Sequence, residues 1–353
     1  MNYIIGCDAH KHFSQFAVYE EQSKACKQVR VEHELGAICQ FLERYPAGTP
    51  VALESIGNWY WIVDEIEEAG CHPMMAHAAK AKVMMGHVNK TDKLDARGLV
   101  TLLRNGTLPT VWIAPGETRD ERELIRTRMA LCKIRVGLKN RLHATFAKYN
   151  LSLGTDSDIF GEKWNEDLQR IIQGLPSETL KCVQQELKLL DQLQAQIDVL
   201  EKRMRELIPL TQQMLLLKTL PGIGDVLSII IALEIGAIER FGRAEALASY
   251  SGTVPTVKSS GGKTRYGHLP AQSNHYLKWA FIEAGNVVAR WRNHPKWRNK
   301  HVTLLYERTR QRKDHAVAVG AVARHLAEAT FWVLTKNERY QEPVQKKVLP
   351  RQG

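Results

Sequence analysis

The feature that most constrains the fold is a pair of short apolar segments that each end at an acidic residue. Tyr3–Cys7 is followed by Asp8, and Val51–Leu53 is followed by Glu54. The ends of buried strands are where open α/β sheets present their functional groups. Two carboxylates at strand ends therefore predict an α/β sheet with an acidic site at its edge.

The surrounding segments predict three strands followed by a helix, a strand and a helix. Gln15–Tyr19 and Gln28–Glu32 have the pattern of strands separated by polar turns. Leu35–Arg44 and Trp59–Glu68 have helical spacing, and Gly70 ends the second of these helices. This order of elements is typical of an RNase H-like α/β sheet.

Two further carboxylates, Asp92 and Asp95, lie three residues apart in the segment Lys90–Arg97. If this segment is helical, the spacing puts both side chains on one face. Carboxylates are costly to gather without a cation, and Mg²⁺ prefers hard oxygen ligands and stabilises both oxygens exchanged in a phosphoryl transfer. Together with Asp8 and Glu54, the pair predicts a Mg²⁺ site.

Each of these carboxylates also has a structural explanation. Asp92 can cap a helix after Thr91, and Glu54 can cap the helix that follows it. Asp95 can pair with Lys93 or Arg97 on a solvated face. We favour the metal site because two strand ends and one acidic pair occur together.

The middle of the chain predicts two long helices. Arg119–Tyr149 is helical and basic, and Leu180–Leu207 places apolar residues at steps of three or four, as in a coiled-coil seam. Self-association through this seam is the favoured prediction, and packing against the basic helix within one chain is the alternative. Gly154–Trp164, between the two helices, has the composition of a loop.

A second candidate site is the loop Tyr250–Gly267, which is rich in Ser and Gly. A serine hydroxyl is a poor nucleophile unless its proton is removed and the phosphate charge is neutralised. Gly261 and Gly262 let a phosphate approach the backbone, so that Ser260 can attack a phosphodiester. A loop that only binds phosphates is the rival interpretation, and Ser259 is the rival nucleophile. The flanking cations are Lys258, Lys263 and Arg265.

Positive charge is concentrated towards the C-terminal end. Residues 210–353 hold 22 Lys and Arg against 10 Asp and Glu, whereas the whole chain carries a net +11. Such an excess is typical of a protein that neutralises nucleic-acid phosphates, and a solvated basic surface is the alternative. The predicted nucleic-acid contacts are Lys90, Arg97, Lys258, Lys263, Arg265, Lys278, Arg290, Arg292, Lys296 and Arg298.

Two segments of this basic part suggest how nucleic acid is held. Pro221–Gly224 leads into the apolar helix Val226–Ile235 and resembles a helix-hairpin-helix grip on a phosphate backbone, with a tight turn between helices as the alternative. Arg290–His301 interleaves cations with aromatic residues and can stack on unpaired bases. Trp291 and Trp297 can equally be core anchors.

Composition also predicts the compartment. No apolar run reaches the roughly 18 residues that cross a bilayer, so we expect no membrane partner. The cysteines have no metal-like spacing, which indicates reduced thiols in a cytoplasmic protein and makes a zinc site unlikely by pattern. These cysteines are Cys7, Cys26, Cys39, Cys71, Cys132 and Cys182.

The motifs, taken in order, resemble those of a known family, the DEDD transposases of bacterial insertion sequences, which are relatives of the Piv DNA invertases. The resemblance runs from Tyr3 to about Lys336, and its most specific element is N-K-T-D-x-x-D-A-R. The matching segments are Gly6–Asp8, Leu53–Gly57, Asn89–Arg97, Pro221–Gly224 and Ser259–Lys263.

The resemblance implies a RuvC-like domain at residues 1–115, a basic helix and coiled coil at 116–209 and a mainly helical transposase domain at 210–336. Residues 337–353 have the composition of a disordered tail. It implies Mg²⁺ held by Asp8, Glu54, Asp92 and Asp95, and a serine, Ser260, that becomes joined to a DNA 5′ end. The resemblance also implies guidance by a noncoding bridge RNA that pairs with donor and target DNA. A tetramer, a dimer of dimers, would combine one subunit's carboxylates with another's serine and exchange strands through a Holliday junction.

Two other functions stay open at this point. A RuvC-like nuclease would cut branched DNA with water as the nucleophile, and a non-catalytic protein would only bind nucleic acid. His10, His87 and His268 lie near the motifs, where they can assist proton transfer or contact phosphates. The predicted location is the bacterial cytoplasm, in association with the nucleoid.

Overall fold

The computed structural model of the chain describes residues 3–55, 57–86, 91–151, 159–161, 165–270 and 272–343. The chain divides into two compact units, Met1–Ala114 and Pro115–Gly353, which we call the N-terminal and the C-terminal unit. Most of the predicted loop Gly154–Trp164 and the tail beyond residue 343 lie outside the described residues.

The N-terminal unit is built on a five-stranded mixed sheet, so the predicted α/β class is confirmed. The strand order is β3-β2-β1-β4-β5, with β1, β2 and β3 antiparallel and β4 and β5 parallel to β1. Its elements are β1 (Tyr3–Ala9), β2 (Phe13–Glu20), β3 (Cys26–Glu32), α1 (Ala37–Leu42), β4 (Pro50–Glu54), α2 (Trp59–Glu68), β5 (His72–Ala76), α3 (Ala78–Met85) and α4 (Asp92–Arg104).

The strand β5 and the helix α3 were not predicted from the sequence. Pro73 lies inside β5, and a proline in an apolar run argues against a strand unless the strand is at an edge. The strand β5 is indeed the edge of the sheet, next to β4. The helix α3 has apolar residues on both sides, with Ala81 buried and Val83 exposed, so its pattern lacks a clear helical face.

The helix α4 packs closely on β1 and β2, and this packing determines where the start of α4 lies relative to the end of β1. A side chain at Gly6 would have its Cβ 2.2 Å from the backbone oxygen of Ala96, so only glycine allows the helix to lie this near the strand. Ala96 and Val100 of the helix are buried against Ala17 of β2. The first turn of α4 is thereby held beside the end of β1.

The C-terminal unit is mainly helical, as predicted, with one short hairpin. Two long helices with a short helix between them come first, and shorter helices follow around a large core. Its elements are α5 (Gly116–Lys148), α6 (Asn165–Ile172), α7 (Ser177–Leu207), α8 (Gln212–Leu217), α9 (Asp225–Ile235), a 3-10 turn (Ile238–Arg240), α10 (Ala244–Tyr250), β6 (Val257–Ser260), β7 (Lys263–Tyr266), α11 (His275–Trp291), α12 (His301–Arg310) and α13 (His315–Lys336).

The apolar seam of α7 packs against α5 within the chain, which corrects the favoured prediction of self-association through this seam. Val183 and Leu190 of α7 are buried in one cluster with Leu142 and Phe146 of α5. Ion pairs such as Arg128 with Glu201 flank the seam. A seam with this spacing has the same pattern whether its partner helix belongs to the same chain or to another.

The helix α13 is the one described helix that is long and apolar enough to cross a membrane. Of its most apolar window, 56% is buried within the unit, where Val322 and Leu326 pack in the core with Phe281 of α11. These contacts are those of a core helix.

The predicted disorder from Asn337 onwards is wrong for the residues that follow α13. The backbone amide of Tyr340 donates to Thr219 Oγ1 at 2.8 Å, and Glu342 accepts from the amide of His301 at 2.8 Å. The segment 338–343 therefore docks on the C-terminal unit. Its polar composition gave no sign of these partners, which lie far away in sequence.

We predict that Gly6→Ala lowers the free energy of unfolding by about 1–3 kcal/mol, because the new methyl group must push α4 away from β1. Urea denaturation followed by circular dichroism measures this change. Gly57→Ala, where a Cβ has no neighbour within 4 Å, is the control and should change stability by less than about 0.5 kcal/mol. Equal midpoints for the two variants would contradict the packing described.

Candidate functional site

Neighbouring strand ends and the start of a helix bring the predicted carboxylates to one edge of the sheet. Cys7 pairs with Leu53 in the parallel register, so Asp8 and Glu54 follow on adjacent strands. The Thr91 hydroxyl caps α4 by accepting from the Leu94 amide at 3.3 Å, and this cap places Asp92 in the first turn. Thr91, and not Asp92, is thus the N-cap residue of α4. The helix predicted for this segment is present.

Asp8 and Asp92 meet around the imidazole of His10. The Nε2 atom of His10 lies 3.2 Å from Asp8 Oδ2 and 3.3 Å from Asp92 Oδ2. One ligand atom from each of the three residues lies within 4.8 Å of the others. Asp95 follows one turn later on α4 and adds its charge to the cluster, while Glu54 ends the neighbouring strand. Sequence analysis named His10 but assigned it no place in this cluster.

Electrostatics in this cluster favour a positive ligand. Burial raises the pKa of Asp8 to about 6; the charge of His10 opposes this effect, and those of Asp95 and Asp92 add to it. The Asp8 side chain is only 16% exposed, so water compensates its charge poorly. Carboxylate oxygens with one imidazole nitrogen are donors that fit a divalent cation.

The predicted serine loop contains a two-stranded hairpin, which corrects its prediction as a loop. β6 and β7 are antiparallel, and Gly261 and Gly262 form the connection with φ of 56° and 75°. Two successive positive φ angles are typical of a tight type I′ turn, which requires glycine or a similar residue. The glycines therefore have a structural role besides any approach of phosphate.

Pairing in this hairpin separates the two candidate serines. Ser260 pairs with Lys263 and Lys258 pairs with Arg265, whereas Ser259 pairs with Thr264. Because residues alternate between the faces of a strand, Ser260 shares its face with Arg265 and Ser259 does not. Both serines are exposed. The side chains of Lys258 and Lys263 lie outside the described part of the chain.

A buried polar network ties together the two ends of the segment that carries the hairpin. The Asn274 amide donates to the Tyr250 backbone oxygen at 2.9 Å, and its side chain donates to Glu234 Oε2 at 2.8 Å. Glu234 is fully buried and accepts two hydrogen bonds from Arg126, at 2.8 and 2.9 Å. The Asn274 side chain also caps α11 by accepting from the amide of Leu277 at 3.0 Å.

Two family models match the chain in regions that contain these sites. A transposase model of the DEDD type matches residues 5–151, and the model described as Transposase IS116/IS110/IS902 family matches residues 214–302. Together they cover more than half of the chain. The chain belongs to the IS116/IS110/IS902 family of transposases. It is an enzyme that cleaves and rejoins DNA.

Curated relatives of this transposase include two of similar length. The transposase for insertion sequence element IS1111A of Coxiella burnetii is 23% identical over 72% of this chain and 69% of the relative. The transposase for IS1328 of Yersinia enterocolitica is 21% identical over 80% of this chain and 83% of the relative. A 43.6 kDa protein of insertion element IS110 from Streptomyces coelicolor is 32% identical over 35% of this chain and 29% of the relative.

Most of the predicted nucleic-acid contacts of this transposase are at its surface. Lys278 is half-buried, and Arg292 is engaged within the chain, with Nε 3.3 Å from Glu307 Oε1. Lys90 lies outside the described residues. Trp291 is 47% exposed, whereas Trp297 packs partly against the core. The exposed arginines and lysine are Arg97, Arg265, Arg290, Arg292, Lys296 and Arg298.

The segment Pro221–Gly224 of the transposase is a tight turn between α8 and α9. A side chain at Gly222, where φ is 85°, would have its Cβ 2.4 Å from the Ala284 backbone oxygen. Glycine at this position allows the turn to pack closely against α11. This supports the alternative interpretation of the segment, a tight turn between helices. Asp225 begins α9 and pairs with Lys218, so a carboxylate already lies where a phosphate would bind.

We predict that Asp8→Asn stabilises the metal-free transposase at pH 7 by about 3 kcal/mol. The raised pKa means that Asp8 keeps its proton in the folded state up to about pH 6, whereas its pKa in an unfolded chain has the ordinary value of 3.8. Stability from this group is therefore present below about pH 4 and is lost as pH rises through 6. The gain from Asp8→Asn should accordingly appear between these values.

Urea denaturation in EDTA from pH 4 to pH 8 measures this difference. Glu21→Gln, at an exposed position, is the control for loss of a surface charge. A difference between wild type and Asp8→Asn that stays constant over this range would contradict the burial and charge assigned to Asp8.

Proposed function

We propose that the chain is an insertion-sequence transposase that uses Ser260 as its nucleophile and becomes covalently joined to DNA. A divalent cation, with Mg²⁺ as the expected ion, would be held by Asp8, Glu54, Asp92 and Asp95. The observation that carries the proposal is the strand register that puts Ser260 on the same face of the hairpin as Arg265. The N-terminal unit carries the carboxylate cluster.

Attack of the Ser260 oxygen on a phosphodiester forms a phosphoserine ester with the DNA 5′ end and releases a 3′ hydroxyl. The serine loses its proton, and the leaving 3′ oxygen gains one. One phosphoester replaces another, so the 3′ hydroxyl of a second strand can reverse the step and rejoin DNA. Arg265 and its cationic neighbours on this face would neutralise the phosphate charge.

When bound, the divalent cation would supply charge stabilisation for the entering and leaving oxygens. Asp8 and Asp92 would hold it from β1 and from α4, on backbone that the Gly6 contact makes rigid. The partial burial of Asp8 would limit water around these donors.

The carboxylates belong to the N-terminal unit and Ser260 belongs to the C-terminal unit. We propose that one subunit's carboxylates act with another subunit's serine in a tetramer that is a dimer of dimers. Since the seam of α7 is buried within the chain, other surfaces would have to form this assembly.

Donor and target DNA and a noncoding bridge RNA are the proposed partners, in the bacterial cytoplasm at the nucleoid. Base pairing by the RNA would choose the DNA, and the protein would contact backbone and shape. Exposed cations such as Arg290 and Arg298 support phosphate contacts, and the exposed Trp291 supports stacking on an unpaired base.

A RuvC-like nuclease that uses water is the second candidate. One observation favours it: Asp8, His10 and Asp92 all belong to the N-terminal unit, so the cation site does not require Ser260. The two candidates differ in whether DNA becomes attached to protein.

We predict that wild-type protein, incubated with Mg²⁺, the noncoding RNA from beside its gene and labelled donor and target DNA, gives a covalent protein–DNA band on a denaturing gel. Ser260→Ala and Asp92→Asn should each lower this band at least about 100-fold. Ser259→Ala is the matched control and should keep it, because Ser259 lies on the opposite face of the hairpin.

DNA that is cut without attachment, and cut equally by Ser260→Ala, would support the nuclease instead. Loss of the band in Ser259→Ala but not in Ser260→Ala would exchange the roles of the two serines.

A further inference from the structure

His10 is held rigidly in the short connection between β1 and β2. Its backbone amide donates to the Phe13 oxygen at 2.8 Å, and its backbone oxygen accepts from Asn58 Nδ2 at 2.9 Å. The imidazole stacks on the Phe13 ring with centroids 4.6 Å apart, and the Arg30 guanidinium lies 3.7 Å from the same ring's centroid. The ring therefore has little freedom to turn away from the carboxylates.

The Nε2 atom of this ring is buried between two acidic oxygens. It lies 3.2 and 3.3 Å from Asp8 Oδ2 and Asp92 Oδ2, yet it forms no well-aligned hydrogen bond with the described residues. A buried polar nitrogen without such a bond requires an explanation. The nitrogen is close to both carboxylate oxygens but is not aligned for a hydrogen bond with either. This arrangement is expected when the nitrogen and the two oxygens all point at one position between them, where an ion would bind.

We propose that His10 Nε2 is a third ligand of the divalent cation, with Asp8 and Asp92, and that this nitrogen gives the site a preference for Mn²⁺ over Mg²⁺. The inference rests on the proposed function, in which these carboxylates hold a cation. It adds a ligand outside the four carboxylates and a metal selectivity that follows from that ligand.

The spacing of the three donors fits this role. Neighbouring ligands in an octahedral shell, each about 2.1 Å from the ion, lie about 3.0 Å apart. Both separations of His10 Nε2 from the carboxylate oxygens are close to that value. Mg²⁺ selects oxygen donors, whereas imidazole suits first-row transition metals and affinity rises from Mn²⁺ onwards in that series. One nitrogen donor therefore favours Mn²⁺ more than Mg²⁺.

A different role for His10 makes the opposite prediction. If the imidazole only neutralised the carboxylates in the absence of a cation, it would compete with the ion. Its removal would then raise the affinity for Mg²⁺ and Mn²⁺ alike. The direction of the change in affinity thus separates a ligand from a competing counter-ion.

The test measures cation binding to the full-length protein, stripped with EDTA, by calorimetry with Mg²⁺ and Mn²⁺ separately. Wild type should bind Mn²⁺ more tightly than Mg²⁺. His10→Ala should weaken Mn²⁺ binding on the order of tenfold and Mg²⁺ binding less. His12→Ala, an exposed histidine in the same connection, is the matched control and should leave both affinities unchanged.

Pulsed electron paramagnetic resonance of bound Mn²⁺ detects nitrogen atoms that coordinate the ion. If His10 only stabilised the fold, its replacement would not change this signal. Wild type and His12→Ala should show coupling to one imidazole nitrogen, and His10→Ala should lose it while its circular dichroism spectrum stays that of wild type. A persistent nitrogen signal in His10→Ala, an unchanged ratio of affinities, or tighter binding of both ions would overturn the inference.

Asp92→Asn separates failure of this inference from failure of the proposed function. If both ions bind and binding depends on Asp92 but not on His10, the inference alone fails. If neither ion binds wild type, the cation site of the proposed function fails as well.

Discussion

Contact between α4 and β1 at Gly6 is the constraint on which the carboxylate site depends. A Cβ at this position would lie 2.2 Å from the backbone oxygen of Ala96, so the helix can approach only a glycine. That approach brings Asp92 to the end of the strand where Asp8 stands, and His10 then lies between them. Burial, to which the charges of Asp95 and Asp92 add, raises the pKa of Asp8, so a bound cation would stabilise the ionised carboxylate.

A comparable constraint in the C-terminal unit holds the hairpin that carries Ser260. The buried Glu234 accepts hydrogen bonds from Arg126 and Asn274, and Asn274 in turn binds Tyr250 at the other end of the hairpin segment. Breaking a buried charged pair of this kind is costly, because the remaining charge stays in a poorly solvated place. The exposed hairpin is thus anchored to buried groups at both ends of its segment, as positioning of the proposed nucleophile requires.

The sequence predicted what depends on local pattern and missed what depends on distant partners. Strand ends at Asp8 and Glu54 and the helix at Asp92 follow from periodicity and capping, and all three are present. Pairing of Glu234 with Arg126, 108 residues away, has no local signal. The spacing of apolar residues in α7 likewise does not identify the helix that packs against them. The position of the His10 ring depends on the conformation of the short turn that carries it, which the sequence pattern does not predict.

The central claim, that one cation is held by β1 and α4 at the sheet edge, is tested most directly by a crystal structure of the full-length protein grown with Mn²⁺. Anomalous scattering locates the ion without reference to activity. The account predicts a peak within about 2.5 Å of carboxylate oxygens of Asp8 and Asp92, with the imidazole of His10 directed at it. Mn²⁺ bound elsewhere, with these side chains still in contact with one another and no ion between them, would contradict it.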